Sequence, residues 1–245
     1  MPFTFSHPAI VLSLKYLPNK WFSLTGLVIG SVTPDFEYFI RMRVQSNYSH
    51  TIGGIFWFDL PLGLLLCFIF HNIVKNPLFQ NLPNFFQARV LTFTQFNWNH
   101  FFRRNWIIVL FSILIGIGSH LLWDSFTHDH GYFVNRISFL KESILLFNHK
   151  ILVLKLAQHT STILGGIVIL HSFLKLPETI TDLFKINRNY WITLALIAFL
   201  ILILRFAAGL GFKEYGHIIV SIISSIFISS IVAPLLLNFN KTQKS

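Results

Sequence analysis

The sequence predicts an all-α fold, a polytopic transmembrane helical bundle of about five spans with short interfacial helices at its N-terminus. Three observations predict it. Only 11% of the 245 residues are charged, against about 25% in an ordinary soluble domain. Hydrophobic residues make up 53% and the mean hydropathy is +0.63. Five runs are long enough to cross a hydrocarbon core, which takes roughly 20 apolar residues. So few charges cannot coat a water-soluble globule of this size, and much of the surface must face lipid.

The elements follow in order. Residues 8–17 and 21–32 are apolar but split by Lys15, Pro18, Asn19 and Lys20. Each piece is too short to span alone and reads as a short helix in the interface. The spans are 55–74, 106–123, 152–174, 190–210 and 217–238. Asp59 and Pro61 fall near the start of the first, where polarity is tolerable. Lys155 falls near the start of the third, where its stem can snorkel. Arg205 lies in the fourth and calls for a polar partner or a position near the helix end. Segment 75–105 reads as a long polar and aromatic loop whose Phe and Trp residues suit an interfacial belt. The expected organisation is one membrane domain over 1–240 with a polar tail at 241–245.

The formal net charge of +10 raises the question of nucleic acid. The Lys and Arg residues sit in short loops between apolar runs, and no basic stripe carries spaced aromatics, so no nucleic-acid partner is expected. The lone cysteine, Cys67, lies in an apolar run and supports neither an intrachain disulfide nor a thiolate cluster. The N-terminus lacks a basic n-region and a continuous apolar h-region, so His7 is expected to be retained. One set of loops carries Lys15, Lys20, Arg41, Arg43, Arg136, Lys141, Lys150 and Lys213. The other carries Lys75, Arg89, Arg103, Arg104, Lys175, Lys185, Arg188, Lys241 and Lys244. The charge rule for orientation favours neither side.

Five spans sort the ionisable residues. Segments 1–54, 124–151 and 211–216 share one side, with His7, Asp35, Glu37, His50, Asp124, His128 and His130 on it. His120 lies near the end of its span on that side, and His159 about two turns into the next. His71, His100 and His171 fall on the other side. The sharpest motif is His120-Leu-Leu-Trp-Asp124-Ser-Phe-Thr-His128. On a helix, residues at i, i+4 and i+8 share a face, so imidazole and carboxylate could ligate one cation or Asp124 could bridge two. A helix-end His–Asp hydrogen bond is the plainer alternative. Thr33-Pro34-Asp35-Phe36-Glu37 places Asp35 after a proline-fixed turn, as a ligand or a helix cap. Glu37 reads as a ligand, a general base or a solvated carboxylate. Ser49-His50-Thr51 precedes two glycines. Ser6-His7-Pro8 should present His7 from an extended segment. Gln158-His159-Thr160-Ser161 is a polar patch in an apolar helix, facing a site or another helix. Such oxygen and imidazole donors suit zinc, with manganese or magnesium also admitted, and their number would hold two or three ions.

MPFTFSHPAIVLSLK, VIGSVTPDFEYF, SHT and HLLWDSFTH resemble the bacterial membrane family known as domain of unknown function 4184. That family in turn looks like the membrane-bound metal-dependent hydrolases, and the resemblance implies a multi-pass protein of the bacterial inner membrane. A more distant likeness is to the zinc-dependent phospholipase C and single-strand nuclease fold. It implies the ligand order His7, Asp35, His50, His120 with Asp124, His128 and His159, with Asp124 bridging two zinc ions. Asp35, His50 and His120 would complete the first ion, His7 would hold another, and His128 with His159 a third. The soluble fold has a Glu four residues after its last His, where this chain has Ile163.

The expected activity is metal-dependent hydrolysis of a phosphoester at the membrane interface, with Asp124 and Glu37 in catalytic roles and an anionic phospholipid as a candidate substrate. A transporter or channel is the alternative, as is a non-catalytic scaffold with a structural metal.

Overall fold

A computed structural model describes residues 3–16, 21–146, 148–178 and 183–237. The predicted polar tail, and residues 17–20 between the two N-terminal helices, lie outside the described residues.

A 3-10 turn at Thr4–Ser6 leads into α1 (Pro8–Leu12). Pro8 starts the helix because its fixed φ suits a first turn that needs no N–H. In α2 (Leu24–Val32) the hydroxyl of Ser23 caps the N-terminus, accepting from the Gly26 N–H at 3.2 Å. A 3-10 turn, Thr33–Asp35, then leads to α3 (Phe36–Arg41). The expected pair of short N-terminal helices is therefore present.

Next come α4 (Ile52–Gly54), α5 (Leu60–Ile69) and α6 (Lys75–Asn81), joined by π-helical turns at Ile55–Asp59 and Phe70–Val74 into one 30-residue rod. After α7 (Asn84–Val90) and a 3-10 turn at Leu91–Gln95 runs α8 (Trp98–Thr127), which carries a kink at Asn105. A hairpin of β1 (Ser143–Leu146) and β2 (His149–Leu152) precedes α9 (Val153–Leu174), α10 (Arg188–Ala207) and α11 (Tyr215–Leu236).

Among the described residues, five helices are long and apolar enough to cross a membrane: Ile52–Asn81, Trp98–Thr127, Val153–Leu174, Arg188–Ala207 and Tyr215–Leu236. They coincide with the five apolar runs, so the chain is an all-α, multi-pass membrane protein. Lys155 lies in the first turn of α9 and reaches Asp129 at 3.7 Å, as a snorkelling stem would. Arg205 occupies the last turn of α10, where a cation also complements the helix dipole.

One local expectation is corrected, and two features add to the reading. Segment 75–105 is mostly helical, because its own polar side chains satisfy its backbone ends. Lys75 Nζ donates to the Phe96 carbonyl at 2.9 Å, and Gln87 Nε2 donates to the Gln80 and Leu82 carbonyls at 2.9 Å each. Asp59 closes a π turn near the start of its helix and is fully buried in protein. The hairpin at 143–152 was not foreseen at all.

The chain forms two compact units. The first comprises Met1–Asp35, Tyr48–Leu64 and Asn105–Lys175, the second Phe36–Asn47, Leu65–Arg104 and Leu176–Ser245. In the first, α2 lies against α8 at backbone distance. A Cβ on Gly30 would stand 2.3 Å from the Ile113 carbonyl oxygen, and one on Gly116 would stand 2.4 Å from that of Leu27. Gly26 meets Ser112 in the same way, with a built Cβ 2.9 Å from the Ser112 Cβ. Gly26/Gly30 and Ser112/Gly116 are thus facing pairs of small residues four apart, the spacing that lets two apolar helices touch where lipid offers no hydrophobic drive. In the second unit α11 pairs with α10 and with α3, where Ser224 donates to the Phe39 carbonyl at 2.7 Å.

Candidate metal centre

The side chains of the site are delivered by several separate pieces of the first unit. Asp35 ends the 3-10 turn that follows α2 and is completely buried. The Thr4 hydroxyl donates to its Oδ2 at 2.5 Å, leaving Oδ1 to face the histidines. His7 follows the Thr4–Ser6 turn. That segment is strapped to α9, where Ser6 Oγ donates to the Thr162 carbonyl at 3.1 Å and the Phe3 N–H donates to Thr162 Oγ1 at 3.2 Å. Gly165 admits the strap, since a Cβ there would come within 2.9 Å of Ser6. His7 itself is helical (φ −58°, ψ −36°), not extended as its proline neighbour suggested. Its backbone joins the turn to α1, and that continuity overrides the local bias.

His120 and Asp124 share one face of α8 at i, i+4. The Nδ1 of His120 lies 2.8 Å from the Ser31 carbonyl. A carbonyl only accepts, so Nδ1 carries a proton and Nε2 is the ring nitrogen turned to the carboxylates, the orientation typical of a ligating imidazole. His50 holds φ at +62°, the left-handed region in which His is uncommon, and Ser49 Oγ sits 2.9 Å from its Nδ1. Sparsely populated backbone of this kind clusters at functional sites.

The donors converge as the helical spacing anticipated. Asp124 Oδ2 lies 3.2 Å from His120 Nε2 and 3.5 Å from His50 Nε2. Asp35 Oδ1 lies 3.6 Å from His120 Nε2 and 3.7 Å from His50 Nε2. The other oxygen of Asp124, Oδ1, lies 3.6 Å from His7 Nε2 and 3.4 Å from His128 Nδ1. The rings of His7 and His120 stack at 3.8 Å.

Nearly all these separations are long for a good hydrogen bond. They do match the edge of a coordination tetrahedron, because bonds of about 2.0–2.1 Å place neighbouring ligands about 3.3–3.4 Å apart. Buried polar atoms normally find hydrogen-bond partners. Yet both nitrogens of His7, Nε2 of His120, Oδ1 of Asp35 and both oxygens of Asp124 have none among the described residues. Two sets of three, His7/Asp35/His120 and His50/His120/Asp124, each bring their donor atoms within 4.8 Å of one another. The chain therefore has buried His/Asp groups able to hold a metal ion.

The electrostatics of His7 and His128 fit that use. Burial, then the neighbouring His120, pushes the His7 pKa down to about 3, so its imidazole is neutral at pH 7 and free to ligate. Burial lowers His128 as well. Burial raises the Asp35 carboxyl, while His120 and the Thr4 hydroxyl oppose the rise. A buried carboxylate of this kind is best accommodated beside a cation.

Six of the predicted residues, His7, Asp35, His50, His120, Asp124 and His128, come together. Two do not. His159 is exposed on α9, and the buried member of its polar patch is Gln158. Adjacent helical residues point about 100° apart, so a patch read as a unit divides between two faces. Glu37 belongs to the second unit, where it accepts from Arg41 Nε and the Asn47 N–H at 2.8 Å each and from Ser46 Oγ at 3.1 Å. Those bonds tie the carboxylate into the segment after α3.

Sequence reasoning missed Thr4 and the Ser31 carbonyl, which support Asp35 and His120 from outside the ligand set. Thr4→Val is expected to weaken metal binding by roughly 10- to 100-fold, the usual cost of a lost supporting partner, and Thr4→Ser to restore it. Calorimetric titration with zinc checks both.

The family model for Domain of unknown function (DUF4184) matches residues 1–235. The chain belongs to this family. No curated protein and no solved structure matches it. All six converging residues of this DUF4184 chain lie within the matched span.

Proposed function

We propose that this DUF4184 chain is a membrane-bound, metal-dependent phosphoester hydrolase whose His and Asp side chains around Asp124 would hold two divalent cations. The observation that carries the reading is the division of partners across that carboxylate. Oδ2 faces His50 and His120, with Asp35 opposite, while Oδ1 faces His7 and His128.

The donors are imidazole and carboxylate alone, which favours zinc, with manganese or magnesium as weaker fits. The Oδ2 side offers four protein donors, the full shell of a closed tetrahedral site. The Oδ1 side offers two, Asp124 and His7, with the His128 ring beside them and its Nδ1 3.2 Å from the Asp124 carbonyl, which leaves room for water or substrate. With His159 exposed, two ions suit the residues better than three.

Cations held there would supply Lewis acidity for water and phosphoryl oxygens. The protein's own part is to fix donors and exclude solvent. Asp124 holds the two donor sets in register, Ser31 fixes the tautomer of His120, and Thr4 turns Asp35. Glu37, bonded within its own segment, takes no catalytic role. A phospholipid headgroup is the substrate class that suits a site flanked by spans α8 and α9 and a net charge of +10.

The closed shell on the Oδ2 side also supports a second reading, a scaffold with one structural metal. Turnover separates the two. The zinc-loaded chain in nanodiscs is expected to hydrolyse a chromogenic phosphodiester or phosphatidylglycerol, and chelation to stop it. Metal without turnover on either would leave only the scaffold. His128→Ala should cut turnover by roughly 100-fold or more while one cation is kept. His159→Ala should change neither turnover nor metal content. An equal loss in both variants would mean that the ligand set has been drawn wrongly.

A further inference from the structure

We infer that the segment Tyr132–Leu152, with its β-hairpin, is a binding surface for anionic phospholipid headgroups, lying in the bilayer interface beside the site. Its composition and burial disagree with water. Leu145 is 69% exposed and Phe139 57%, and Ile137, Leu146 and Leu152 are exposed too. An isolated two-stranded hairpin is marginal at best in water unless its apolar face packs against further structure. Here the strands cover almost nothing: of the described strand residues, only Ile144 and Ile151, which pair across the strands, are partly shielded.

The hairpin is also held at the level of the headgroups. Strand β2 runs into span α9 with no linker, and the Val153 N–H donates to the Glu142 carbonyl at 2.9 Å. At the other end the N–H groups of Phe133 and Val134 donate to the Ser125 carbonyl at 3.0 and 3.2 Å. Ser125 adjoins Asp124, so the segment is tied to the helical turn that carries the candidate ligands.

Charge specifies the lipid class. Residues 129–155 carry Arg136, Lys141, Lys150 and Lys155 against Asp129 and Glu142. Lys155 already faces Asp129. The Arg136 guanidinium lies 3.6 Å over the Tyr132 ring, and Lys141 Nζ donates to Asn135 Oδ1 at 2.8 Å, so both are held in place while remaining exposed. In the strand register Lys150 pairs with Leu145, which puts a cation beside the most exposed leucine of the hairpin. Apolar side chains interleaved with cations are what an interfacial segment presents to acyl chains and phosphates. The inference holds whether or not the metal centre is catalytic.

The test uses the full chain in nanodiscs with an environment-sensitive fluorophore on Leu145→Cys; the native Cys67 is buried and will not compete for label. Spin labels high on the lipid acyl chain are expected to quench the probe, and aqueous iodide to leave it bright. Separately, the preference for phosphatidylglycerol over phosphatidylcholine should fall by about fivefold for each cation removed in Lys141→Gln and Lys150→Gln. Iodide quenching of the probe, or a lipid preference unchanged in the double variant, would overturn the proposal.

Discussion

Asp124→Asn is expected to strip the chain of metal while leaving its helices in place. The substitution keeps the shape of the side chain and removes the charge that faces four imidazoles, those of His7, His50, His120 and His128. Both candidate cation positions draw on it, so neither keeps a full donor set. The loss should far exceed the roughly 10- to 100-fold that a supporting partner costs, and zinc should not survive gel filtration. Helicity by circular dichroism should match the parent, because Asp124 lies on a helix whose remaining contacts are untouched. Asp35→Asn is expected to act in the same direction but on the Oδ2 side alone, so it should lose one cation and keep the other. A variant at 124 that retained the native metal content would end the bridging assignment.

Gly116→Leu is expected to prevent stable folding of the first unit, whereas Gly118→Leu, two residues along the same helix, should be tolerated. A Cβ at 116 would meet the Leu27 carbonyl oxygen at 2.4 Å and the Ser31 nitrogen at 2.6 Å, while one at 118 meets nothing within 4 Å. These are backbone atoms of α2 and cannot rotate away. Overpacking costs about 1–3 kcal/mol even where side chains can give, and more where they cannot. The milder Gly116→Ala should lower the thermal midpoint in detergent. It should also weaken zinc binding, because pushing α2 outward carries the Ser31 carbonyl off His120 Nδ1. Gly118→Ala should be neutral or slightly stabilising, since alanine is the better helix former. Equal effects at 116 and 118 would contradict close packing of α2 on α8.

The spans were legible because lipid makes a simple demand, about 20 apolar residues in a row, and five runs met it. The core of the site was legible for a different reason. Three ionisable residues at i, i+4 and i+8 beside a span are costly without a partner, and sorting by side gathered His7, Asp35 and His50 with them. What the sequence concealed lay in single-residue directions. His159 and Gln158 differ by one step along α9, and only Gln158 is buried. Glu37 stands two residues after Asp35 but belongs to the next helix, where Arg41 claims it at i+4.

The helices within 75–105 were hidden because aromatic and amide side chains carry no clean 3.6-residue pattern. The glycine seam between α2 and α8 was there to be read. Gly26 and Gly30, and Ser112 and Gly116, each stand four apart, and small residues at that spacing in apolar helices mark close contact. Thr4 had no comparable signal, since its role depends on a contact 31 positions away in the chain.

The most direct test of the account is X-ray absorption on the zinc-loaded native chain, with elemental analysis of the same sample. The account predicts two equivalents of zinc per chain, with nitrogen and oxygen neighbours at about 2.0–2.1 Å, imidazole scattering and no sulfur. A chain that leaves loading and gel filtration without bound metal, or one whose zinc has a sulfur neighbour, would contradict it.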